Sequence, residues 1–164
     1  MNAQHSCASS DWGTPAEWVE RVRSVIGDID LDPCSSVEHN DRVLARSFIT
    51  AEENGLELPW RGRVFVNPPG GRGLPRLFFI KFLYDYLSGA ISEGVYLGYS
   101  LEQLLWVGRL LKEKPLSGQL VAVPHSRIRF IGAGSSPTHG NFFLYLGPDK
   151  GRFKATFSPT CLVL

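Results

Sequence analysis

A short apolar run that ends in two consecutive prolines constrains this chain more than any other feature. In the stretch Gly62-Arg63-Val64-Phe65-Val66-Asn67-Pro68-Pro69-Gly70-Gly71, residues 64–66 are β-branched or aromatic and read as a buried strand. Neither proline can donate to a sheet ladder, and Pro68 pushes Asn67 out of the helical region. The chain must therefore leave the sheet in a stiff, extended corner. Three acceptors belong to that corner: the Asn67 side-chain oxygen and the backbone carbonyls of Asn67 and Pro68. Such a cluster suits a flat exocyclic amine. The plainer alternative is a turn that merely closes a strand, so the rest of the chain has to decide.

A chain of 164 residues, 43% of them hydrophobic, is expected to form one domain with a real core, over residues 11–164, behind a small, polar, frayed tail at 1–10. No stretch has the length of a membrane span and the N-terminus has no apolar signal core, which makes the cytoplasm the default address. Cys7, Cys34 and Cys161 lie far apart without metal-binding spacing, and read as reduced thiols with neither a disulfide nor a metal site. A net charge of +1 excludes a broad nucleic-acid coat and leaves only local basic patches. These are Arg61, Arg63, Arg72, Arg76 and Lys81 around the corner, Arg127 and Arg129, and Lys150, Arg152 and Lys154. As charge alone they read as solvated surface.

Helical and strand signals alternate along the chain. Thr14-Pro15-Ala16-Glu17 reads as a capping box with proline at the first helical position, followed by Trp18, Val19, Val22, Val25 and Ile26 at helical spacing and a stop at Gly27. Residues 28–32 alternate into a short strand that Pro33 ends. A polar loop with one helical turn leads to an apolar run at 45–49, then to Asn54-Gly55-Leu56. Beyond the corner, 77–91 reads as a largely buried helix and 94–99 as a strand. Ser100 and Gln103 form a second capping box opening a helix with Leu101, Leu104, Leu105, Gly108 and Leu111 inside. Residues 119–123, 128–131, 142–146 and 161–164 read as strands. This order predicts an α/β fold with a mostly parallel central sheet and late antiparallel strands, in which ligands collect beyond the carboxyl ends of strands where the strand order reverses.

Asp-Trp-Gly-Thr-Pro at 11–15, Asp-Leu-Asp-Pro-Cys at 30–34, Asn-Gly-Leu at 54–56 with Trp60 after it, and Asn-Pro-Pro at 67–69 occur in an order that resembles the phage-type DNA N6-adenine methyltransferases. The resemblance covers roughly residues 11–131. It implies a Rossmann-like methyltransferase fold, S-adenosylmethionine as cofactor, DNA as partner, no metal, and transfer of a methyl group to N6 of adenine in the cytoplasm of a host cell. Protection of phage DNA against restriction is the family-level role.

The resemblance also assigns residues. Asn67, with Pro68 and Pro69, would hold the amine hydrogens so that the nitrogen points its lone pair at the methyl group. Asp30 and Asp32 would serve the methionine part and ribose of the cofactor, and Trp12, Thr14 and Pro15 would lie over it. Asn54 stands where the family often has an acidic residue. Gly70 departs from the aromatic residue that usually follows the two prolines, so either Phe78, Phe79 or Tyr99 stacks on the extruded base in its place or activity is weakened. Ser35 and Ser36 stand where many methyltransferases have glycines. Arg72, Arg127 and Arg129 are candidate DNA contacts, within loops such as 124–129 and 132–141. Two alternatives stay open: amino methylation of another base or of RNA, and a degenerate module that binds DNA or cofactor without turnover.

Overall fold

The computed structural model describes residues 12–113, 118–133 and 139–164. The expected tail at 1–10, Cys7, Asp11, the end of the second capped helix near Pro115 and part of the 132–141 loop lie outside the described residues. Strands β1 (Leu31–Asp32), β2 (Ser47–Phe48), β3 (Gly62–Val66), β4 (Ile91–Gly98), β5 (Gln119–Pro124), β6 (Phe142–Leu146) and β7 (Cys161–Val163) form a mixed sheet in the order β2-β1-β3-β4-β6-β5-β7. The four strands β2, β1, β3 and β4 are parallel, whereas β4–β6, β6–β5 and β5–β7 pair antiparallel. This is the expected division into an early parallel and a late antiparallel half.

Helices α1 (Ala16–Ile26), α2 (Val37–Val43), α3 (Leu74–Leu87), α4 (Leu101–Glu113) and α5 (Lys150–Phe157) cover both faces. Strand residues alternate between two cores. Phe65, Val95, Leu97, Phe143 and Tyr145 pack with Trp18, Val22 and Val25 of α1 and with Phe153 and Phe157 of α5. Val64, Val66, Tyr96, Phe142 and Leu144 pack with Phe79 and Phe82 of α3 and Val107 and Leu111 of α4. A sheet covered on both faces explains why β3, β4 and β6 read as continuous apolar runs.

Several local expectations change. Ile91 opens β4 and does not belong to α3, which ends at Leu87. Residues 128–131 do not form a strand of the sheet: Ile131 makes an isolated antiparallel bridge to Gly13, and the Ile128 N–H is taken by the Asn141 side chain at 3.2 Å. Helix α4 opens on its expected box, with Gln103 N donating to Ser100 Oγ at 3.0 Å and Tyr99 N to Gln103 Oε1 at 3.1 Å. Its buried stripe is Val107 and Leu111, leaving Leu105 65% exposed. Trp106 sets that rotation by packing edge-on against Phe79 at 5.5 Å, with the Arg76 guanidinium 4.8 Å over its ring. Helix α5 had no place in the sequence reading. Asp149 caps it by accepting from Arg152 N at 2.8 Å, and Phe153 stacks on Phe157 at 4.5 Å one turn later.

The strand order reverses beside β1. The chain steps from β1 outward to β2 and then returns to place β3 on the other side of β1, so the carboxyl ends of β1 and β3 lie side by side at the topological switch point, where ligands collect in sheets of this kind. One glycine holds the return in place. A Cβ on Gly55 would run into the Pro33 carbonyl and lie 3.2 Å from Phe78 Cε1, and Trp60 Nε1 donates to the Gly55 carbonyl at 2.7 Å. Gly55→Ala is therefore expected to cost about 1–3 kcal/mol by overpacking. Gly108→Ala, in the interior of α4 with nothing within 4 Å of its Cβ, is expected to add about 0.5–1 kcal/mol. Urea unfolding midpoints of the two variants should move in opposite directions.

Candidate active site

The corner stands at the carboxyl end of β3, where Asn67 follows Val66 directly. Its amide is fixed by the segment that precedes α1. Asn67 Nδ2 donates to the Trp12 carbonyl at 2.9 Å and to Thr14 Oγ1 at 3.1 Å. A backbone carbonyl can only accept, so the NH2 end must face this strap and Oδ1 is turned away from it. Asn67 Oδ1 and the carbonyls of Asn67 and Pro68 receive no hydrogen bond from the described residues. The Pro69 carbonyl accepts from the Tyr99 hydroxyl at 3.3 Å. Burial pushes Tyr99 up to about 12, so it keeps the proton it donates.

Thr14 thus does not cap α1. The N-cap is Pro15, at φ −59° and ψ 144°, with no side-chain cap, and the N–H groups of Trp18 and Val19 both reach the Pro15 carbonyl. The Thr14 hydroxyl that the capping box would have used accepts from Asn67 instead. The strap is itself tied down. Gly13 exchanges two backbone bonds with Ile131, at 3.0 and 2.9 Å, and the Trp12 ring lies 6.0 Å from Phe130. Sequence reasoning gave no place to this bridge, nor to Asn141, which is buried and links the Ile128 N–H to the Gly98 carbonyl at the end of β4. The loop carrying Arg127 and Arg129 is thereby anchored beside the strap. Both arginines are exposed and flank the buried Ile128, and Arg72 is exposed in the turn after the corner.

The two aspartates of the 30–34 motif part company. Asp30 precedes β1, and Arg63 of β3 grips it with Nε to Oδ2 at 3.0 Å, a second guanidinium nitrogen to Oδ1 at 3.1 Å and its backbone N–H to Oδ2 at 2.9 Å. Arg46 adds an ion pair at 3.4 Å. The Arg63 hydrogen bonds hold the Asp30 carboxyl below its ordinary range. Both oxygens are spent on a clamp between β1 and β3, at the amino end of β1 and away from the corner. Asp32 ends β1 and is only 2% exposed. Its Oδ1 accepts from Cys34 N at 3.1 Å, yet burial outweighs this help and that of Ser35, raising it to about 7. No cation of the described residues contributes to holding it ionised.

Three other expected site residues are structural. Phe78 and Phe79 are 5% and 0% exposed; Phe78 stacks on Trp60 at 6.0 Å and Phe79 meets Tyr96 edge-on at 5.3 Å. Neither ring is free to stack on a base, because α3 turns both into the core. Tyr99 is the one named aromatic that touches the corner. Asn54 sits at φ 59°, its amide closing a local turn by accepting from Leu56 N at 3.2 Å and donating to Glu57 Oε1 at 2.8 Å. The apolar recess lined by Ile80, Leu83, Tyr84, Leu110 and Glu113 lies toward the C-terminal halves of α3 and α4, away from the corner. No group of three or more His, Cys, Asp or Glu among the described residues is placed to hold a metal ion, and no helix among them is long and apolar enough to cross a membrane.

The folded protein binds the Asp32 proton more tightly than an unfolded chain with the ordinary value of 3.8. Its contribution to stability is therefore full below about pH 4 and is lost as pH rises from there through about 7. Asp32→Asn keeps the acceptor for Cys34 N and cannot ionise. Its thermal midpoint relative to wild type is expected to rise between pH 5 and about 7 and then level off, and a constant difference from pH 5 to 7 would mean that Asp32 is not desolvated.

No family model matches the chain. Among curated proteins it is similar to the DNA N-6-adenine-methyltransferase of Haemophilus phage HP1 (strain HP1c1), at 33% identity over 127 residues. The aligned part covers 73% of this chain, and the chain spans 65% of the length of that relative.

Proposed function

We propose that this chain belongs with the phage DNA adenine methyltransferases, has a Rossmann-like methyltransferase fold, and transfers a methyl group from S-adenosylmethionine to N6 of adenine in DNA. The observation that carries the reading is the Asn67 amide, held by both hydrogens so that its oxygen is left for an incoming amine. The strand order supports it, since the corner and the end of β1 meet at the reversal point. Similarity to a named DNA N-6-adenine-methyltransferase supplies the substrate class.

The cofactor fits what surrounds Asp32. A buried carboxyl that no cation faces suits a positively charged ligand whose ammonium or hydroxyl groups donate to it. The strap residues Trp12 and Pro15 would cover the bound molecule. S-adenosylmethionine, when bound, supplies an electrophilic methyl group on a sulfonium. The N6 lone pair of adenine is delocalised into the ring and is a poor nucleophile. Asn67 Oδ1 and the Pro68 carbonyl accept the two N6 hydrogens, letting the nitrogen pyramidalise and stabilising the positive charge that grows on it. The excess proton passes to water. Adenine must leave the duplex stack to reach the corner; there Tyr99 would contact it, and Arg72, Arg127 and Arg129 would contact phosphate.

Asn67→Ala is expected to lower methylation by at least 100-fold while leaving thermal stabilisation by S-adenosylmethionine within about twofold in affinity. Mass-spectrometric nucleoside analysis of DNA from expressing cells checks the first part and a thermal-shift titration the second. N6-methyladenine absent with the wild-type protein would remove the reading, and another methylated base in its place would redirect it.

A further inference from the structure

We propose that Thr14 is a positioning residue for this methyl transfer, acting through Asn67 and not as a cofactor contact, an inference that rests on the reading above. An asparagine amide has two ends of nearly equal shape and a side-chain torsion with broad minima, so an acceptor built from it needs both its direction and its plane fixed. The Trp12 carbonyl fixes the direction, because it can accept only from Nδ2. One hydrogen bond leaves the amide free to swing about that contact. The second, from Nδ2 to Thr14 Oγ1 at 3.1 Å, fixes the plane, and with it the line along which Oδ1 meets an amine.

Thr14 is suited to this by its surroundings. It is 4% exposed, its hydroxyl is not used to cap α1, and it stands between two anchored points. Gly13 is pinned to Ile131 by paired backbone bonds, and the Pro15 carbonyl accepts from the first turn of α1. The hydroxyl is thus presented from a rigid element, 53 residues away in sequence from the amide it holds. Positioning of this kind is read in the rate of the chemical step, since a small displacement of a reacting group is costly while ground-state binding is unaffected.

The test compares Thr14→Val, which keeps the shape and loses the acceptor, with Thr14→Ser, which keeps the acceptor. Single-turnover methyl transfer to adenine-containing duplex DNA at saturating S-adenosylmethionine is expected to fall about tenfold or more in Thr14→Val, with the KM for the cofactor unchanged, and to stay within about threefold of wild type in Thr14→Ser. Without cofactor or DNA, the 15N-resolved side-chain NH2 resonances of Asn67, assigned by their loss in Asn67→Asp, are expected to shift and exchange faster with water in Thr14→Val alone. A Thr14→Val protein with wild-type rate at saturation and a raised cofactor KM would overturn the proposal and make Thr14 a cofactor contact. Unmoved Asn67 resonances would overturn it as well. A wild-type protein that transfers no methyl group would instead sink the functional reading, whatever the resonances do.

Discussion

Both hydrogens of the Asn67 amide are spent on the strap before α1, and the rest of the site depends on that pair of bonds. They join a segment at the start of the described chain to the end of β3, and they decide which atom of the amide faces outward. The proline pair makes this possible. Pro68 and Pro69 bring no N–H groups of their own, so the corner cannot satisfy its acceptors internally and cannot relax into a helix to do so. A flexible linker with the same asparagine would let the amide turn its oxygen to any passing N–H. The strap in turn needs the loop at 125–131, because the Gly13–Ile131 bridge is what keeps Trp12 and Thr14 over the strand end. Corner, strap and loop therefore form one closed set of contacts drawn from three distant parts of the sequence.

The sheet beneath them is asymmetric in strength. β3, β4 and β6 are long, buried on both faces and paired on both edges, whereas β1 and β2 have two residues each. Hydrogen bonds from so short a ladder hold little. The Arg63–Asp30 clamp ties the amino end of β1 to β3 with two side-chain bonds and one backbone bond, and the Gly55–Pro33 contact closes the carboxyl end from the far side. The reversal point is thus bordered by a short strand that is braced at both ends.

Features whose cause is local could be read in the sequence, and those whose partner is distant could not. The corner followed from proline geometry, the α1 stripe from 3.6-residue spacing, and the Ser100–Gln103 box from residues three apart. Thr14 carries the same local signal as Ser100, yet its hydroxyl is claimed by Asn67, and nothing in Thr-Pro-Ala-Glu announces that. Residues 128–131 alternate as a strand does, but Asn141 takes the Ile128 N–H that a ladder would need. Helix α3 is apolar nearly all round, so periodicity offered no face on which to place Phe78 and Phe79, and both went to the core. Spacing puts Leu105 inside, yet it is 65% exposed while its neighbour Trp106 packs against Phe79. Only α5 was legible and missed: Asp149 at the cap and Phe153 four residues before Phe157 are ordinary helix signals, obscured by reading its lysines and arginine as charge alone.

Two carboxylates two residues apart, treated oppositely, show how the site acquires its electrostatics. Successive alternate residues of a strand are separated by about 6.6 Å, close enough for one arginine to serve either aspartate. Arg63 is committed to Asp30 by bidentate geometry and by its own backbone N–H, and Arg46 is shared between Asp28 and Asp30. Asp32 is left with the Cys34 N–H and the help of Ser35, so burial raises its affinity for a proton. Had either arginine reached Asp32, its carboxyl would ionise at little cost. By directing the cations to the opposite end of β1, the fold keeps a carboxyl that is expensive to ionise alone and inexpensive to ionise beside a positive charge. The raised proton affinity of Asp32 therefore depends on the commitment of Arg63 to Asp30.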